Sequence, residues 1–192
     1  MYRTRRTTLG VLLAAGAGSR FLGAEHKLLA PLKGVPIVSY ALSAMVSAGF
    51  EANIVVTGSV ALSSVLGGVS EVHNADWATG QRSSVLAAIA YARSHGFDDI
   101  VIGLGDQPFI TPEAWQAVAA SESPIAIATY DGTRGNPVKL SSTVWDLFID
   151  TDGDPDAGAR TLIHLHPELV REVACKGNSA DIDTTEDLSK WI

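Results

Sequence analysis

The chain has 192 residues, of which 46% are hydrophobic and 18% are charged, and this size and composition predict one compact domain over residues 1–192. Its formal net charge of −7 argues against nucleic acids and anionic membranes as partners, because an acidic protein repels both through its overall field. The single cysteine, Cys175, excludes an intramolecular disulfide and cannot form a thiolate zinc site alone, which favours a cytoplasmic location.

The first 18 residues, "MYRTRRTTLGVLLAAGAG", superficially resemble a secretion signal. Their uninterrupted apolar part, Val11 to Ala15, is short, and positive charge resumes at Arg20 and Lys27. No stretch approaches the ~20 apolar residues of a membrane span. We therefore expect a first strand here rather than a leader, and a frayed, solvated terminus at the arginines in positions 3, 5 and 6.

Apolar, β-rich segments alternate with helical patterns along the chain. The predicted strands are residues 9–14, 52–57, 69–73, 100–104, 125–130, 137–140 and 170–173. The predicted helices include residues 36–48, 82–94 and 112–120, whose ends are marked by proline, glycine or a capping threonine. Near-continuous apolar strands such as "IVIGLG" are typical of a sheet covered on both faces. The pattern predicts a doubly wound α/β sandwich, with ligands outside the carboxyl ends of its strands.

A glycine-rich turn follows the first predicted strand. Its residues from Ala15 to Ser19 are small, so their backbone N–H groups can approach an anion such as a triphosphate. The turn is not a dinucleotide fingerprint, because Phe21 replaces the third glycine, and no Gly-Lys-Ser/Thr follows to make a P-loop. Arg20 and Lys27 add positive charge suited to phosphoryl groups. The alternative is a flexible loop with solvated basic residues.

Two later segments bring carboxylates to the ends of predicted elements. "VIGLGDQP" delivers Asp106 to the carboxyl edge of the sheet, where a carboxylate needs a cation or hydrogen-bond donors. "ADIDTTEDL" places Asp181 and Asp183 before a helix that Thr184 could cap, although one of these acids could itself be the cap. Because Mg²⁺ takes one or two protein carboxylates together with substrate phosphates, Asp106 and Asp183 would be a sufficient protein contribution.

Four segments in chain order, "LAAGAGSR…K", "LGDQP", "RGNPV" and "DIDTTEDL", resemble one enzyme family. They are similar to the nucleotidyltransferases that include the molybdenum cofactor cytidylyltransferases, and the resemblance covers nearly the whole chain. It implies a single-domain, Rossmann-like three-layer α/β sandwich with a mixed, mostly parallel sheet, of the nucleotide-diphospho-sugar transferase type. It also implies transfer of a nucleoside monophosphate from an NTP to an acceptor phosphate, with release of pyrophosphate.

The resemblance also implies the roles of individual residues. The base and ribose would lie near Ala14, Ala15 and Gly16, and the triphosphate near Gly18, Ser19 and the catalytic residues Arg20 and Lys27. Asp106 and Asp183 would bind Mg²⁺, and "GQRSS" would add Gly80, Ser83 and Ser84 to the nucleotide site, unless the serines only cap a helix. Asn136 and Arg160 would lie near the acceptor, although the segment around Arg160 could equally be a polar loop.

Ala15 bears on the choice of nucleotide. The chain reads Ala-Ala-Gly where related guanylyltransferases tend to read Ala-Gly-Gly, which favours CTP over GTP, although uridylyltransferases and other cytidylyltransferases share this pattern. Two features depart from the family: seven positions separate Arg20 from Lys27, more than is common, and Asn136 stands where pterin-specific members often have histidine.

The resulting prediction is transfer of CMP from CTP to the phosphate of the molybdenum cofactor, a molybdopterin. A molybdoenzyme or its chaperone would be a further partner. The alternatives are another phosphorylated acceptor such as a sugar or alcohol phosphate, a guanylyltransferase for the same cofactor, and a non-catalytic carrier of that cofactor.

Overall fold

A central β-sheet is formed by the apolar segments predicted as strands. The structure is a computed structural model that describes residues 6–192. The strands are β1 (Thr8–Ala14), β2 (Pro31–Leu32), β3 (Val35–Pro36), β4 (Ala52–Thr57), β5 (Ser70–His73), β6 (Asp99–Leu104), β7 (Ile125–Tyr130), β8 (Thr133–Ser141) and β9 (Val170–Ala174). The α-helices are α1 (Ile37–Ser47), α2 (Gln81–Ser94), α3 (Pro112–Ala119), α4 (Trp145–Asp150), α5 (Arg160–Leu165) and α6 (Thr185–Ser189).

Across the described residues, one sheet has the strand order β5-β4-β1-β6-β8-β7-β9, and β2 pairs with β3 in a small hairpin. Strand β8 is antiparallel to both of its neighbours, whereas the other pairs in the large sheet are parallel. The structure therefore confirms a single α/β domain with a mixed, mostly parallel sheet. No helix in the described part of the chain is long and apolar enough to cross a membrane.

The core lies on both faces of this sheet. Alternate residues of β1 point in opposite directions, so that Leu9 and Val11 join the cluster containing residues of α2 and α4, while Leu12 joins the cluster containing residues of α1 and α3. The side chains of Leu9, Val11 and Leu12 are fully buried. Apolar side chains on both faces need cover from both sides, which explains the predicted three-layer arrangement.

The N-terminal expectation is wrong for Arg6. Its guanidinium group donates to both carboxylate oxygens of Asp99, at 2.7 and 2.8 Å, and to Ser141 Oγ at 2.7 Å. Asp99 is almost fully buried, so it needs such a partner and holds Arg6 beside the first residue of the central strand β6. The arginines at positions 3 and 5 lie outside the described residues.

Candidate active site

The glycine-rich turn after β1 forms one wall of a cavity of about 690 Å³ at the carboxyl edge of the sheet. The carbonyl oxygens at the start of this turn are engaged by Ser59, whose N–H donates to Ala15 O at 3.0 Å and whose Oγ donates to Gly16 O at 2.7 Å. The backbone N–H groups of residues 16–20 donate to no carbonyl or side chain elsewhere in the described chain. The turn therefore offers free donors to an anion.

Gly18 lets Lys27 pack against this turn. Its φ of +61° is in the left-handed region that favours glycine, and a Cβ at this position would lie 3.0 Å from Lys27 Cγ. The long spacing between Arg20 and Lys27 therefore does not keep the lysine away from the cavity. His26, the neighbour of Lys27, also holds the turn, because its Nε2 lies 3.1 Å from Gly16 O.

Three of the predicted charged residues meet at the base of the cavity. Lys27 Nζ donates to Asp106 Oδ2 at 2.6 Å and to Asp183 Oδ1 at 2.9 Å, and these three side chains are only 12–17% exposed. Arg20 Nη2 lies 2.8 Å from Asp183 Oδ2 and is largely exposed. Burial alone would lower the pKa of Lys27, but the two carboxylates outweigh burial and raise it, so Lys27 is a cation at neutral pH.

Backbone contacts bring the two acids together from distant parts of the chain. Asp106 follows β6, and its carbonyl oxygen accepts from Ile182 N–H at 2.9 Å, which aligns the segment containing Asp183 beside it. Helix α6 is capped by Thr184, whose hydroxyl accepts from the N–H of Asp187 while the Asp187 carboxylate accepts from the N–H of Thr184. Neither Asp181 nor Asp183 is therefore the cap residue.

The donor set is compatible with a hard divalent cation. Asp106 Oδ1 is buried and has no hydrogen-bond partner in the described chain, so it is an unsatisfied acceptor beside Asp183. Among the described residues there is no group of three or more His, Cys, Asp or Glu side chains that could hold a metal. Two carboxylates would suit Mg²⁺ or a similar ion only if substrate oxygens or water completed its coordination.

The carboxyl group of Asp181 also lines the same cavity. Burial raises its pKa above the ordinary value of 3.8, and the nearby negative charges of Asp183 and Asp106 raise it further. The sequence motif offered Asp181 only a possible capping role, which Thr184 takes instead.

The start of helix α2 forms the opposite wall. Gly80 and Ser84 line the cavity, whereas Ser83 does not line it and donates to the carbonyls of Gly80 and Asp76. Neither serine caps the helix, because the N-cap is Gly80 and no side chain bonds there. Asn74 Nδ2 donates to both serine hydroxyls, at 2.8 and 3.1 Å. Sequence reasoning missed Asn74, although its place one residue after β5 puts it at the edge where ligands bind.

Gly80 also permits a close contact with the loop before α5. Its φ is +117°, and a Cβ at this position would lie 2.6 Å from Pro155 O. That loop leads to Arg160, which lines the cavity and whose Nη2 and Nε groups donate to the backbone carbonyls of Asp156 and Ala157 at 3.3 Å.

A second cavity, of about 500 Å³, adjoins the first. Asn136 and Arg160, the predicted acceptor residues, both line it, together with apolar side chains that include Ile102, Ile127 and Val138. The walls of the two cavities share five residues: Leu13, Gln81, Leu104, Arg160 and Asp181. The other predicted nucleotide residues, Ala14, Ala15, Gly16, Gly18 and Ser19, line the first cavity with Arg20, Lys27 and the two acids.

The fold places both cavities at the carboxyl ends of parallel strands of an α/β protein, which is where such proteins bind ligands. The chain belongs to the MobA-like NTP transferase domain family, which matches residues 10–172. It is 33% identical to the purine catabolism protein PucB of Bacillus subtilis, over 93% of each chain. These findings identify it as a nucleotidyltransferase.

Two solved structures are similar over nearly the full length. One is a nucleotidyl transferase from Methanothermobacter, with 26% identity, a TM-score of 0.79, and 96% of this chain and 95% of that chain covered. The other is Rv0371C of Mycobacterium tuberculosis in complex with manganese, with 25% identity, a TM-score of 0.74, and 96% and 97% covered. Both support the fold predicted from the sequence.

Proposed function

We propose that this nucleotidyltransferase moves CMP from CTP to the phosphate of a molybdopterin-type acceptor and releases pyrophosphate. The observation that carries the proposal is the position of Lys27 between Asp106 and Asp183, beside a turn with free backbone N–H groups. A carrier that only bound the cofactor would need no such charged centre.

The nucleotide would occupy the larger cavity. The base and ribose would contact Ala14, Ala15 and Gly16, with Gly80 and Ser84 on the opposite wall and Ser83 helping to position Ser84 through Asn74. The triphosphate would lie against the amides of Gly18 and Ser19 and the side chains of Arg20 and Lys27. Ala15 supports the choice of CTP, through the resemblance in its motif.

Asp106 and Asp183 would hold a divalent cation, for which we propose Mg²⁺. When bound, this cation would neutralise charge on the phosphate oxygens. The manganese complex of the similar protein Rv0371C supports a divalent cation. Lys27 would leave the carboxylates as they took up the cation, and its ammonium group would then be available to the triphosphate.

The transfer would be a direct displacement. An oxygen of the acceptor phosphate attacks the α-phosphorus, the new P–O bond forms, and the bond to the β-phosphate oxygen breaks to release pyrophosphate. The acceptor phosphate is already ionised at neutral pH, so no side chain has to remove a proton from it. Arg20, Lys27 and the turn amides would reduce the repulsion between the two anions and hold them in line.

A second candidate has the same chemistry with a different phosphorylated acceptor, such as a sugar or alcohol phosphate. The observation that favours it is Asn136, which stands on the wall of the smaller cavity where pterin-specific relatives often have histidine. A molybdoenzyme or its chaperone would receive the product only under the first candidate.

Pyrophosphate release with CTP, GTP, UTP and ATP, each combined with a molybdopterin-type acceptor or a sugar or alcohol phosphate, tests the proposal. We expect release to depend on CTP, a divalent cation and the molybdopterin. Asp106→Ala should abolish release while the protein remains folded, with a lower thermal stability because Lys27 loses one of its two carboxylate partners. The matched control Asp146→Ala removes an exposed carboxylate of α4 that lines neither cavity, and it should retain activity. Release by Asp106→Ala at most of the wild-type rate would contradict the proposed metal site.

A further inference from the structure

Two side-chain amides at the smaller cavity form a chain that ends on a backbone carbonyl. Gln107 Nε2 donates to Ser179 O at 3.0 Å, and Asn136 Nδ2 donates to Gln107 Oε1 at 3.0 Å. All three residues line the cavity, and Gln107 is only 7% exposed. Water therefore competes little with these hydrogen bonds.

The direction of this chain follows from the chemistry of its last member. A backbone carbonyl can only accept, so Gln107 must turn its NH₂ group to Ser179 and its oxygen to Asn136. Asn136 must then turn its own NH₂ group to Gln107. Rotation of the Asn136 amide by half a turn would bring two oxygen acceptors face to face at a shielded position.

The Asn136 carbonyl oxygen, Oδ1, is consequently available to a ligand. It accepts no hydrogen bond from the described residues, and it is not fully buried. Its backbone is also held, because Tyr130 Oη donates to Asn136 O at 2.8 Å. Gly135 keeps the strand close to Ser179, since a Cβ there would lie 3.0 Å from Ser179 Cβ.

We propose that Gln107 is a positioning residue that fixes the orientation of Asn136, and that Asn136 Oδ1 selects an acceptor with a hydrogen-bond donor at this point. A ring amide N–H of a flat heterocycle is the class that fits, because the apolar side chains of Ile102, Ile127 and Val138 line the same cavity. The inference rests on the proposed function for the identification of this cavity as the acceptor site.

The test compares the binding of pterin with that of N3-methylpterin, which lacks the ring N–H, by fluorescence titration without nucleotide. Wild-type protein should bind pterin at least about fivefold more tightly than N3-methylpterin, as expected for one hydrogen bond. In Gln107→Leu the ratio should fall below the wild-type value, because the Asn136 amide can then rotate and present its NH₂ group instead of Oδ1.

Gln116→Leu is the matched control, since Gln116 also donates to a backbone carbonyl, that of Ala48, but lies on α3 outside both cavities. It should keep the wild-type ratio. Asn136→Ala removes Oδ1 itself and should bring the ratio to about one, which tests the acceptor atom directly even if Gln107→Leu does not fold. Equal binding of the two probes by the wild type, binding of neither, or an unchanged ratio in the variant that folds would overturn the proposal.

The two proposals can fail separately. Protein that prefers pterin over N3-methylpterin but releases no pyrophosphate from CTP would disprove the transfer reaction and leave the role of Gln107 intact. Protein that releases pyrophosphate with a phosphorylated acceptor but does not distinguish the two probes would disprove only the role of Gln107.

Discussion

Lys27→Met should destabilise the protein when no metal is present and make its stability depend on a divalent cation. In the described chain, the carboxylate of Asp106 has Lys27 as its only partner, because Oδ2 contacts Lys27 and Oδ1 is unpaired. The substitution removes this partner. Loss of one member of a buried ion pair costs about 3–5 kcal/mol, and the 12–17% exposure of these side chains reduces this to roughly 2–3 kcal/mol. For a chain of this size, Tm should fall by roughly 4–12 °C.

A divalent cation should reverse most of this loss. A ligand at a hundred times its Kd stabilises a protein by about 2.7 kcal/mol, which is similar to the cost of losing the ammonium group. Wild-type protein should gain less from the same cation, because Lys27 must first leave both carboxylates. The assay is thermal unfolding of both proteins in EDTA and in millimolar Mn²⁺ or Mg²⁺.

Lys139→Met is the matched control for this experiment. Lys139 is also a buried lysine near a carboxylate, with its Nζ 3.9 Å from Asp99 Oδ1, but it lies outside both cavities. Its substitution should change Tm by the same amount with and without the cation, because Asp99 keeps Arg6 as a partner and no cation site is affected. A Lys27→Met protein as stable as the wild type in EDTA, or an equal gain in Tm of both proteins from the cation, would contradict this role of Lys27.

Three further variants test single roles. In steady-state kinetics, Arg20→Ala should lower kcat about a hundredfold, which corresponds to roughly 3 kcal/mol, and should raise KM for CTP by less. Arg20→Lys should have a kcat between those of Arg20→Ala and the wild type. A rise in KM alone would instead show that Arg20 only binds the nucleotide. Ala15→Gly should reduce the preference for CTP over GTP, measured as the ratio of kcat/KM values, and an unmutated protein without that preference would disprove the role of Ala15. Asp181→Asn should have a higher Tm than the wild type at pH 7 and a similar Tm below about pH 3.8. Because folding raises the pKa of Asp181, the wild-type protein loses stability when this carboxyl ionises as the pH rises. An equal difference in Tm at both pH values would contradict this explanation.

The central strands were predictable because burial on both faces leaves a continuous apolar signal. Strands β1, β4, β6 and β7 differ from their predicted bounds by at most one residue. Strand β8 was predicted only from Pro137 onward, because Gly135, Asn136 and Pro137 are typical of turns. Pairing with β7, where Thr129 lies opposite Arg134, overrides this local tendency. Helices α4, α5 and α6 have five or six residues each, which is too short to show a helical period.

The candidate site was predictable to the extent that its residues follow strand ends in recognisable motifs. Arg20, Lys27, Asp106 and Asp183 are such residues, and the structure brings them together. Their supporting partners were not predictable in the same way. Ser59, which engages the carbonyls of the glycine-rich turn, is a single polar residue more than 40 positions away with no motif of its own.

Gln107 shows the same limit inside a motif. It belongs to "LGDQP", but its hydrogen-bond partners Asn136 and Ser179 lie 29 and 72 positions away. Only the three-dimensional structure reveals that the amides form a chain with one direction.

The wall shared by the two cavities has a consequence for product release. A reaction that joins the contents of both cavities converts two separately bound molecules into one bivalent ligand, and such a ligand dissociates slowly because either half holds the other at a high effective concentration. Dissociation of the joined product should therefore limit turnover in the purified protein. A recipient that first captures the half in the smaller cavity would leave the nucleotide half held alone, and would speed release without changing the chemical step.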